Sequence, residues 1–195
     1  MQRLRAALAS REASSIQRPA EDRRAAVAAI LRPNQGDVEV LFIRRAKHPD
    51  DPWSGHMAFP GGRHDEADLD VLHTAVRETL EEVGVDLRSD AALLGRLDDI
   101  DAVARGRRVG LWVSPFVFQL ERDVSLSPNA EVDAALWTPL GPLRRGEGAI
   151  TVPYRYNDLQ LDLPGFRVGA DVVWGLTHRM LMSLFDVLDE GDRST

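Results

Sequence analysis

The segment from residue 72 to residue 83 is the feature that most constrains how this chain can fold. Its apolar side chains recur at intervals of three and four residues, which is the spacing of one buried stripe on an α-helix. Asp68 and Asp70 precede the segment and can cap its first amides, and Gly84 suits the left-handed position after its last turn. The segment is therefore predicted to be an amphipathic helix with a stripe formed by Leu72, Ala75, Val76, Thr79, Leu80 and Val83.

The same helix carries three glutamates, Glu78, Glu81 and Glu82, at positions i, i+3 and i+4. Side chains at these spacings are neighbours on a helix surface, so the three carboxylates are predicted to form one patch, which Arg77 is placed to order. Like charges this close are unfavourable unless a cation compensates them, and Mg²⁺ accepts carboxylate oxygens. A solvated helix face is the alternative. The Pro-Gly-Gly turn at residues 60–62 favours the metal site, because glycines let backbone groups approach a ligand closely.

The rest of the chain mixes strands and helices without regular βαβ alternation, which favours an α+β fold with a mixed sheet covered by helices. A second helix is predicted from about Asp171 to Leu188. The predicted strands lie at 24–31 and 38–43, which form a hairpin, then at 93–97, 108–120 and 134–137, and in a hairpin over 153–163 that turns at Asn157 and Asp158.

The domain organisation predicted from this pattern is simple. One domain covers residues 23–190, a helical lead-in segment covers residues 1–22, and a short tail covers residues 191–195. The net charge of -7 disfavours nucleic-acid binding, and no apolar run approaches the roughly 20 residues of a membrane span. Cys is absent, so thiol chemistry is excluded. We expect a cytoplasmic protein whose partner is a small molecule, with no nucleic-acid or membrane partner and with a homodimer left open.

The run from Gly62 to Val85 (GRHDEADLDVLHTAVRETLEEVGV) resembles the Nudix box, G-x5-E-x7-R-E-U-x-E-E-x-G-U, where U is apolar. Fourteen residues separate Gly62 from Arg77 where the box has thirteen, so the first Glu of the box falls at Leu69. Thr79 stands where the box usually has an aliphatic residue. The second half of the box is matched at Arg77, Glu78, Glu81, Glu82, Gly84 and Val85, and the candidates to replace its first Glu are Glu66, Asp68 and Asp70.

The longer spacing resembles one branch of that family, the coenzyme A pyrophosphatase-like Nudix proteins, whose box opens F-P-G-G-x-x-D-x-x-D. An upstream Arg of that branch is missing from residues 50–55, and the interval from Arg45 to Phe59 is one residue longer than in the branch. The chain matches the branch at Leu41, Arg45, Ala46, Phe59, Pro60, Gly61, Gly62, Asp65 and Asp68.

The resemblance implies an α/β/α sandwich in which the box helix packs on a mixed sheet. It also implies roles for the box residues, with Mg²⁺ as the cofactor and Mn²⁺ as a substitute. Glu78 and Glu82 would be the principal metal ligands, and Gly62 would lend a carbonyl. Glu81 would be a further ligand or the base that deprotonates the attacking water, while Arg77 would orient the acids.

The implied reaction is hydrolysis of the diphosphate linkage in a nucleoside diphosphate derivative, with coenzyme A or an acyl-CoA as the leading substrate. The alternative substrates are ADP-ribose, dinucleotides and oxidised nucleoside triphosphates. A domain that senses a nucleotide without cleaving it is the alternative from another class, and the retained glutamates favour the enzyme.

Four residues near the box are candidates for substrate binding. Arg44, Arg45 and Arg63 lie on the approach to the box and are predicted to pair with substrate phosphates. Phe59, like Trp53 and Trp112, is a candidate to stack on a base, with core packing as the alternative. Structural roles are favoured over proton transfer for the two histidines considered, His56 and His178.

Overall fold

The computed structural model describes residues 2–14, 23–49, 53–104, 107–156 and 159–193. In chain order its helices are α1 (Gln2–Ala9), α2 (Val71–Val83), α3 (Leu87–Asp90), α4 (Leu140–Arg144) and α5 (Gly175–Arg193). Its strands are β1 (Arg23–Asn34), β2 (Asp37–Arg45), β3 (Met57–Ala58), β4 (Gly61–Arg63), β5 (Ala91–Arg96), β6 (Ile100–Ala104), β7 (Arg107–Leu120), β8 (Val132–Pro139), β9 (Ala149–Tyr156), β10 (Leu159–Val168) and β11 (Asp171–Trp174).

A mixed sheet forms the centre of the fold. Its main path runs β3-β2-β1-β7-β5, and β4, β6 and β8 pair with β1, β7 and β2 respectively. Strands β1 and β7 are parallel, whereas β1 pairs antiparallel with β2 and β4. The strands β9, β10 and β11 form a second, antiparallel sheet. The first predicted hairpin is therefore confirmed as β1–β2, and its strands are longer than the apolar runs that predicted them.

Helices cover both faces of the central sheet, and β1 shows how the sequence achieves this. Successive side chains of a strand point to opposite faces, and β1 is buried on both. Ala26, Ala28 and Ile30 pack in the cluster that contains α2. Ala25 and Ala29 belong to the other cluster, with α1 and α5. The predicted α+β class and the α/β/α sandwich are confirmed.

Helix α2 occurs where the apolar period predicted it, with both caps in place. The Asp70 side chain accepts a hydrogen bond from the His73 amide at 2.7 Å, and Gly84 adopts a φ of 72° that a left-handed cap requires. The buried face differs from the predicted stripe, because Leu80 is 48% exposed while Glu82 is buried. Thr79 fits its apolar position because its hydroxyl donates to the Ala75 carbonyl at 2.7 Å.

The C-terminal helix begins later than predicted. Residues 171–174 form β11, in which Val173 pairs with Phe166 of β10, and the helix starts at Gly175. The reason is local: a β-branched and aromatic run favours a strand, and Gly175 has a φ of 63° that separates the strand from the helix. The β9–β10 hairpin is confirmed, and its predicted turn at residues 157–158 lies outside the described residues.

The lead-in segment is helical over Gln2–Ala9, and this helix packs into the main core. Leu4 and Leu8 are buried in the same cluster as α5, and Leu8 lies against Gly95 of β5. The amide of Ser14 donates to the Asp98 carboxylate at 2.7 Å, which ties the residues after the helix to the end of β5. No helix among the described residues is long and apolar enough to cross a membrane.

Leu8→Ala should lower the free energy of unfolding by about 2–4 kcal/mol, because it leaves a cavity between α1 and the sheet. Urea unfolding followed by circular dichroism measures this loss. Arg5→Ala, at an exposed position of the same helix, should change stability by less than about 0.5 kcal/mol. Equal stability of the Leu8 variant and the wild type would show that α1 does not belong to the core in solution.

Candidate active site

Two glycines bring strand β4 against helix α2. A Cβ on Gly61, where φ is 147°, would lie 2.2 Å from the Ala26 carbonyl oxygen of β1. A Cβ on Gly62 would lie 2.4 Å from the carboxyl carbon of Glu78. Both distances are far below van der Waals contact, so a side chain at residue 61 would push β4 away from β1, and one at residue 62 would displace the Glu78 carboxylate. The glycine pair therefore places backbone groups directly beside the glutamates of α2.

Glu82 is the most buried acid of the helix, with 2% of its surface exposed. One carboxylate oxygen accepts a hydrogen bond from the Gly61 amide at 2.8 Å. The pKa of Glu82 is raised to about 8: burial is the largest cause and the negative charges of Glu78 and Glu131 act in the same direction, while the Gly61 amide and Arg45 oppose the shift. A carboxylate held in this way favours either a proton or a cation at neutral pH.

Glu78 lies one turn before Glu82 and faces the same space. Its side chain is 17% exposed, and one of its oxygens lies 3.0 Å from an Arg77 nitrogen. Burial raises the pKa of Glu78, and the Arg77 guanidinium opposes this shift. Glu78 and Glu82 therefore lie side by side next to β4, and neighbouring groups compensate the charge of each only in part.

Arg77 is the centre of the ionic network at this end of the helix. Its Nε donates to Asp68 at 2.9 Å, one terminal nitrogen donates to Asp68 at 3.0 Å, and the other donates to Glu81 at 3.0 Å. It also donates to the Arg63 carbonyl at 3.3 Å, which joins the helix to β4. The hydrogen bonds from Arg77 hold the pKa of Asp68 well below its usual range.

Of the three candidates to replace the first Glu of the box, Asp68 is the one that pairs with Arg77. Its side chain is 1% exposed and also accepts a hydrogen bond from Thr74 at 2.8 Å. The other candidates are placed differently: Asp70 caps α2, and Glu66 is exposed. Leu69, at the position of the box glutamate, is 91% exposed. The extra residue in this loop is accommodated by turning Leu69 outward.

The three glutamates are neighbours on α2, but their side chains face different surroundings. At 100° per residue, Glu82 lies 40° to one side of Glu78 and Glu81 lies 60° to the other side. Glu78 and Glu82 line a cavity, whereas the Glu81 side chain is 53% exposed, pairs with Arg77 and does not line that cavity. Glu81 nevertheless remains close to Glu78, because one Arg77 nitrogen lies 3.0 Å from an oxygen of each, and its role as ligand or base stays a prediction.

The cavity beside these acids has a volume of about 690 Å³, and charged, aromatic and aliphatic side chains line it. Glu78, Glu82 and Gly62 form the acidic end together with Arg45 and Arg63. Aromatic side chains line another part, and aliphatic side chains from β7 and α5 line the rest. The aromatic and aliphatic lining includes Trp53, His56, Trp174, Leu111, Val113 and Met180.

Three of the four predicted substrate-binding residues, Arg45, Arg63 and Phe59, line the cavity. Arg44 points to the other side of β2, where it donates to Asp171 at 3.1 Å and pairs with Asp133 at 3.9 Å. Phe59 is 1% exposed and its ring stacks on Phe42 at 5.2 Å in the core. The predictions that Arg44 reaches the substrate phosphates and that Phe59 stacks on a base are therefore corrected.

Glu131 is a cavity residue that the sequence did not single out as functional. It lies in the loop before β8, and its carbonyl accepts a hydrogen bond from the Ala46 amide at 2.8 Å. The Asn129 amide donates to the Glu82 carbonyl at 2.9 Å, which anchors this loop on the end of α2. A lone Glu before a strand is a weak signal, and only the tertiary fold brings it to the acids of the helix.

The acidic end suits a hard cation that completes its coordination elsewhere. Within the described parts of the chain, no three His, Asp or Glu side chains are close enough to form a complete metal site. Mg²⁺ commonly takes one or two carboxylates and completes its shell with water and substrate phosphates. The buried Glu82, the adjacent Glu78 and the open cradle beside Gly62, which a Cβ would fill, fit such an ion.

An acid-bearing helix packed against a Gly-Gly strand in an α/β/α sandwich defines a Nudix-type site. The family model described as NUDIX domain matches residues 22–153 of the chain. The chain therefore belongs to the Nudix family, and the resemblance read from the box is confirmed.

Several curated proteins are similar to this chain. The human protein named mitochondrial coenzyme A diphosphatase NUDT8 is 34% identical over 179 residues, which is 90% of this chain and 72% of that protein. The Caenorhabditis elegans protein named peroxisomal coenzyme A diphosphatase ndx-8 is 35% identical over 53% of this chain and 42% of its own length. The uncharacterized Schizosaccharomyces pombe protein C14C4.10c is 45% identical over 107 residues, and the match spans 32% of its length.

Two solved structures support the fold. An Ap4A hydrolase binary complex from Caenorhabditis elegans has a TM-score of 0.53 at 20% identity, over 64% of this chain and 85% of that one. A MutT/nudix family protein from Enterococcus faecalis has a TM-score of 0.55 at 18% identity, over 90% of this chain and 66% of that one. At these identities the likeness concerns the fold alone.

Asp68→Asn should lower the free energy of unfolding by about 2–3 kcal/mol, because it leaves the Arg77 fork without its buried counter-charge. Since the pKa of Asp68 is lowered in the folded protein, its contribution is present above the usual Asp pKa. The difference from the wild type should therefore persist from pH 8 to pH 5 and decline below about pH 4. Urea unfolding across this range measures it, with the exposed Asp123→Asn as the unaffected control.

Glu82→Gln should stabilise the metal-free protein at alkaline pH. The pKa of Glu82 is raised from 4.5 to about 8, so its stabilising protonated form is present below pH 4.5 and is lost as the pH rises through 8. At pH 8 the melting temperature of the variant should exceed that of the wild type by at least about 3 °C, and the excess should shrink toward pH 5. Thermal melts in a chelating buffer measure both values. A pH-independent difference would contradict the burial of an ionisable Glu82.

Proposed function

We propose that this Nudix protein is a Mg²⁺-dependent hydrolase that cleaves the diphosphate linkage of a nucleoside diphosphate derivative, with coenzyme A or an acyl-CoA as its substrate. The observation that carries the proposal is the buried carboxylate of Glu82 at the cavity wall, beside Glu78 and the Gly61–Gly62 backbone. Such a pair favours a bound divalent cation, and a cation in this position meets any phosphate that enters the cavity.

The choice of substrate rests on similarity together with the character of the cavity. The human and worm relatives that bear the name coenzyme A diphosphatase are 34% and 35% identical to this chain. The cavity combines cationic side chains near the acids with a long apolar and aromatic wall. A substrate with a central diphosphate, a nucleoside on one side and a less polar arm on the other matches that combination.

The metal would be held by Glu78 and Glu82, with the Gly62 carbonyl as a further ligand. A bound Mg²⁺ polarises the phosphoryl oxygens and makes phosphorus more susceptible to attack by water. Mn²⁺ is expected to substitute for it, because it accepts the same oxygen ligands. Arg77 keeps the acids in place: it pairs with Glu78 and Glu81 and is itself fixed by Asp68.

Substrate phosphates would be bound by the two arginines that line the cavity, Arg45 and Arg63. In the reaction, water forms a bond to one phosphorus, the bridging P–O bond breaks, and the leaving phosphate takes the electron pair. A carboxylate accepts the proton of the attacking water. Glu131, which lines the cavity, and Glu81, which the family resemblance suggests, are the two alternatives for this base.

The wild-type protein with Mg²⁺ should hydrolyse coenzyme A to 3′,5′-ADP and 4′-phosphopantetheine. A panel of coenzyme A, acetyl-CoA, ADP-ribose, a diadenosine polyphosphate and an oxidised nucleoside triphosphate, with products identified by mass spectrometry, measures the preference. A higher kcat/KM for ADP-ribose than for coenzyme A would refute the substrate assignment while leaving the hydrolase intact.

Glu82→Gln should lower kcat/KM at least 1,000-fold (about 4 kcal/mol) because it removes a negatively charged metal ligand. Mg²⁺ should raise the melting temperature of the wild type and have no such effect on the variant. The matched control is Glu121→Gln at an exposed position outside the cavity, which should keep full activity. Full activity of the Glu82 variant would contradict the proposed metal site.

A further inference from the structure

The cavity also holds a cluster of rings for which the reaction chemistry gives no role. The Trp174 ring lies 4.7 Å from the His56 ring, centroid to centroid, with a tilt of 48°. The Tyr154 ring lies 5.6 Å from the Trp174 ring on a similar tilt. Trp174, His56 and Trp53 all line the cavity, and all three are only partly buried. A ring in this position can offer part of its face to a ligand.

The backbone holds this cluster at a junction between elements. Trp174 is the last residue of β11, and the hydroxyl of Thr177 in α5 donates to the Met57 carbonyl of β3 at 2.9 Å. The His56 carbonyl accepts from the Arg45 amide at 3.0 Å, and the His56 amide donates to the Trp53 carbonyl at 3.0 Å. The rings therefore stand on backbone that β2, β3 and α5 fix in place.

The same backbone connects the ring cluster to the acidic end. His56 and Gly61 are five residues apart along the chain segment that borders the cavity. Five extended residues span at most about 18 Å, which is comparable to the length of an extended nucleoside diphosphate. A diphosphate held between Arg45, Arg63 and the two glutamates would thus leave a nucleoside within reach of Trp174.

The aliphatic part of the wall has a different character from the ring cluster. Leu111, Val113 and Met180 offer apolar surface without a flat face. A nucleobase gains binding free energy when it stacks on an aromatic ring, and any of the bases can do so because each has a π-face. A flexible aliphatic or amide arm gains more binding free energy from contact with the adaptable aliphatic wall than from a flat ring. The exposed Lys47 also lines the cavity and would supply positive charge for a phosphate on the ribose.

We infer that Trp174, flanked by His56 and Tyr154, is the base-binding platform of this site and stacks on the nucleobase of the substrate. The inference rests on the proposed function for the position of the diphosphate. It assigns the nucleoside half of the substrate to the junction of β11 and α5, and the other half to the aliphatic wall.

Equilibrium binding measurements test the proposed stacking independently of hydrolysis. AMP and 4′-phosphopantetheine, which are not cleaved, serve as probes of the two halves and are titrated calorimetrically and by tryptophan fluorescence. Trp174→Ala should raise the Kd of AMP by about 5- to 100-fold, the range expected for loss of one base–aromatic stack. Trp174→Phe should recover most of that loss, and the Kd of 4′-phosphopantetheine should change less than about twofold in either variant.

The matched control is Trp137→Phe, at a tryptophan on β8 whose ring lies under Arg32 and outside the cavity; it should leave AMP binding unchanged. Far-UV circular dichroism and the melting temperature identify a variant that fails to fold. If Trp174→Ala fails to fold, the AMP affinity of Trp174→Phe and the quenching of Trp174 fluorescence by AMP decide the question. Unchanged AMP affinity in Trp174→Ala, a loss confined to 4′-phosphopantetheine, or no saturable AMP binding to the wild type would overturn the inference. Failure to hydrolyse any diphosphate would instead contradict the proposed function.

Discussion

The site depends on the absence of side chains at residues 61 and 62. Because nothing larger than hydrogen fits between β4, β1 and α2 at these points, the backbone of β4 reaches the acids of the helix directly. The Gly61 amide can then bind the Glu82 carboxylate at 2.8 Å while β4 still pairs with β1. A side chain at residue 61 would separate β4 from β1, and one at residue 62 would displace the Glu78 carboxylate, so the pairing of β4 and the geometry of the site depend on the same two glycines.

The distribution of charge follows from that packing. Arg77 can reach Asp68, Glu78 and Glu81 from its place on the helix, and it satisfies the first of these almost completely. Glu82 lies on the far side of Glu78 from Arg77 and receives only an amide and the more distant charge of Arg45. Hydrogen bonds from Arg77 therefore lower the pKa of Asp68, whereas burial raises the pKa values of Glu82 and of Glu78, although Glu78 also pairs with Arg77. This difference explains how four acids can occupy so small a region of one fold.

Features of this protein that depend on neighbouring residues can be predicted from the sequence, whereas features that depend on tertiary contacts cannot. The period, the Asp70 cap and Gly84 predicted α2 correctly because each acts within a few residues. The same spacing rules could not show that Glu81 would turn to Arg77, since a helical angle of about 100° leaves either neighbour of Glu78 free to face the cleft. Asp68 was among three candidates that only the conformation of the loop could distinguish. Glu131 lies 48 residues after the last residue of the helix, and no local pattern links the two.

Arg44 and Phe59 show in the same way that tertiary placement decides which residues bind at the cavity. Arg44 and Arg45 are adjacent, so alternation along β2 sends one to Asp171 and the other to the cavity, and sequence alone does not say which. Phe59 borders the cavity but is 1% exposed and stacks on Phe42, whereas the partly exposed rings at the cavity come from β11 and from the residues before β3. The cavity therefore combines residues in and just before the box with residues of β11 and α5, which are far away in the chain. A site assembled in this way can retain its chemistry while changes in β11 and α5 alter the molecule that it accepts.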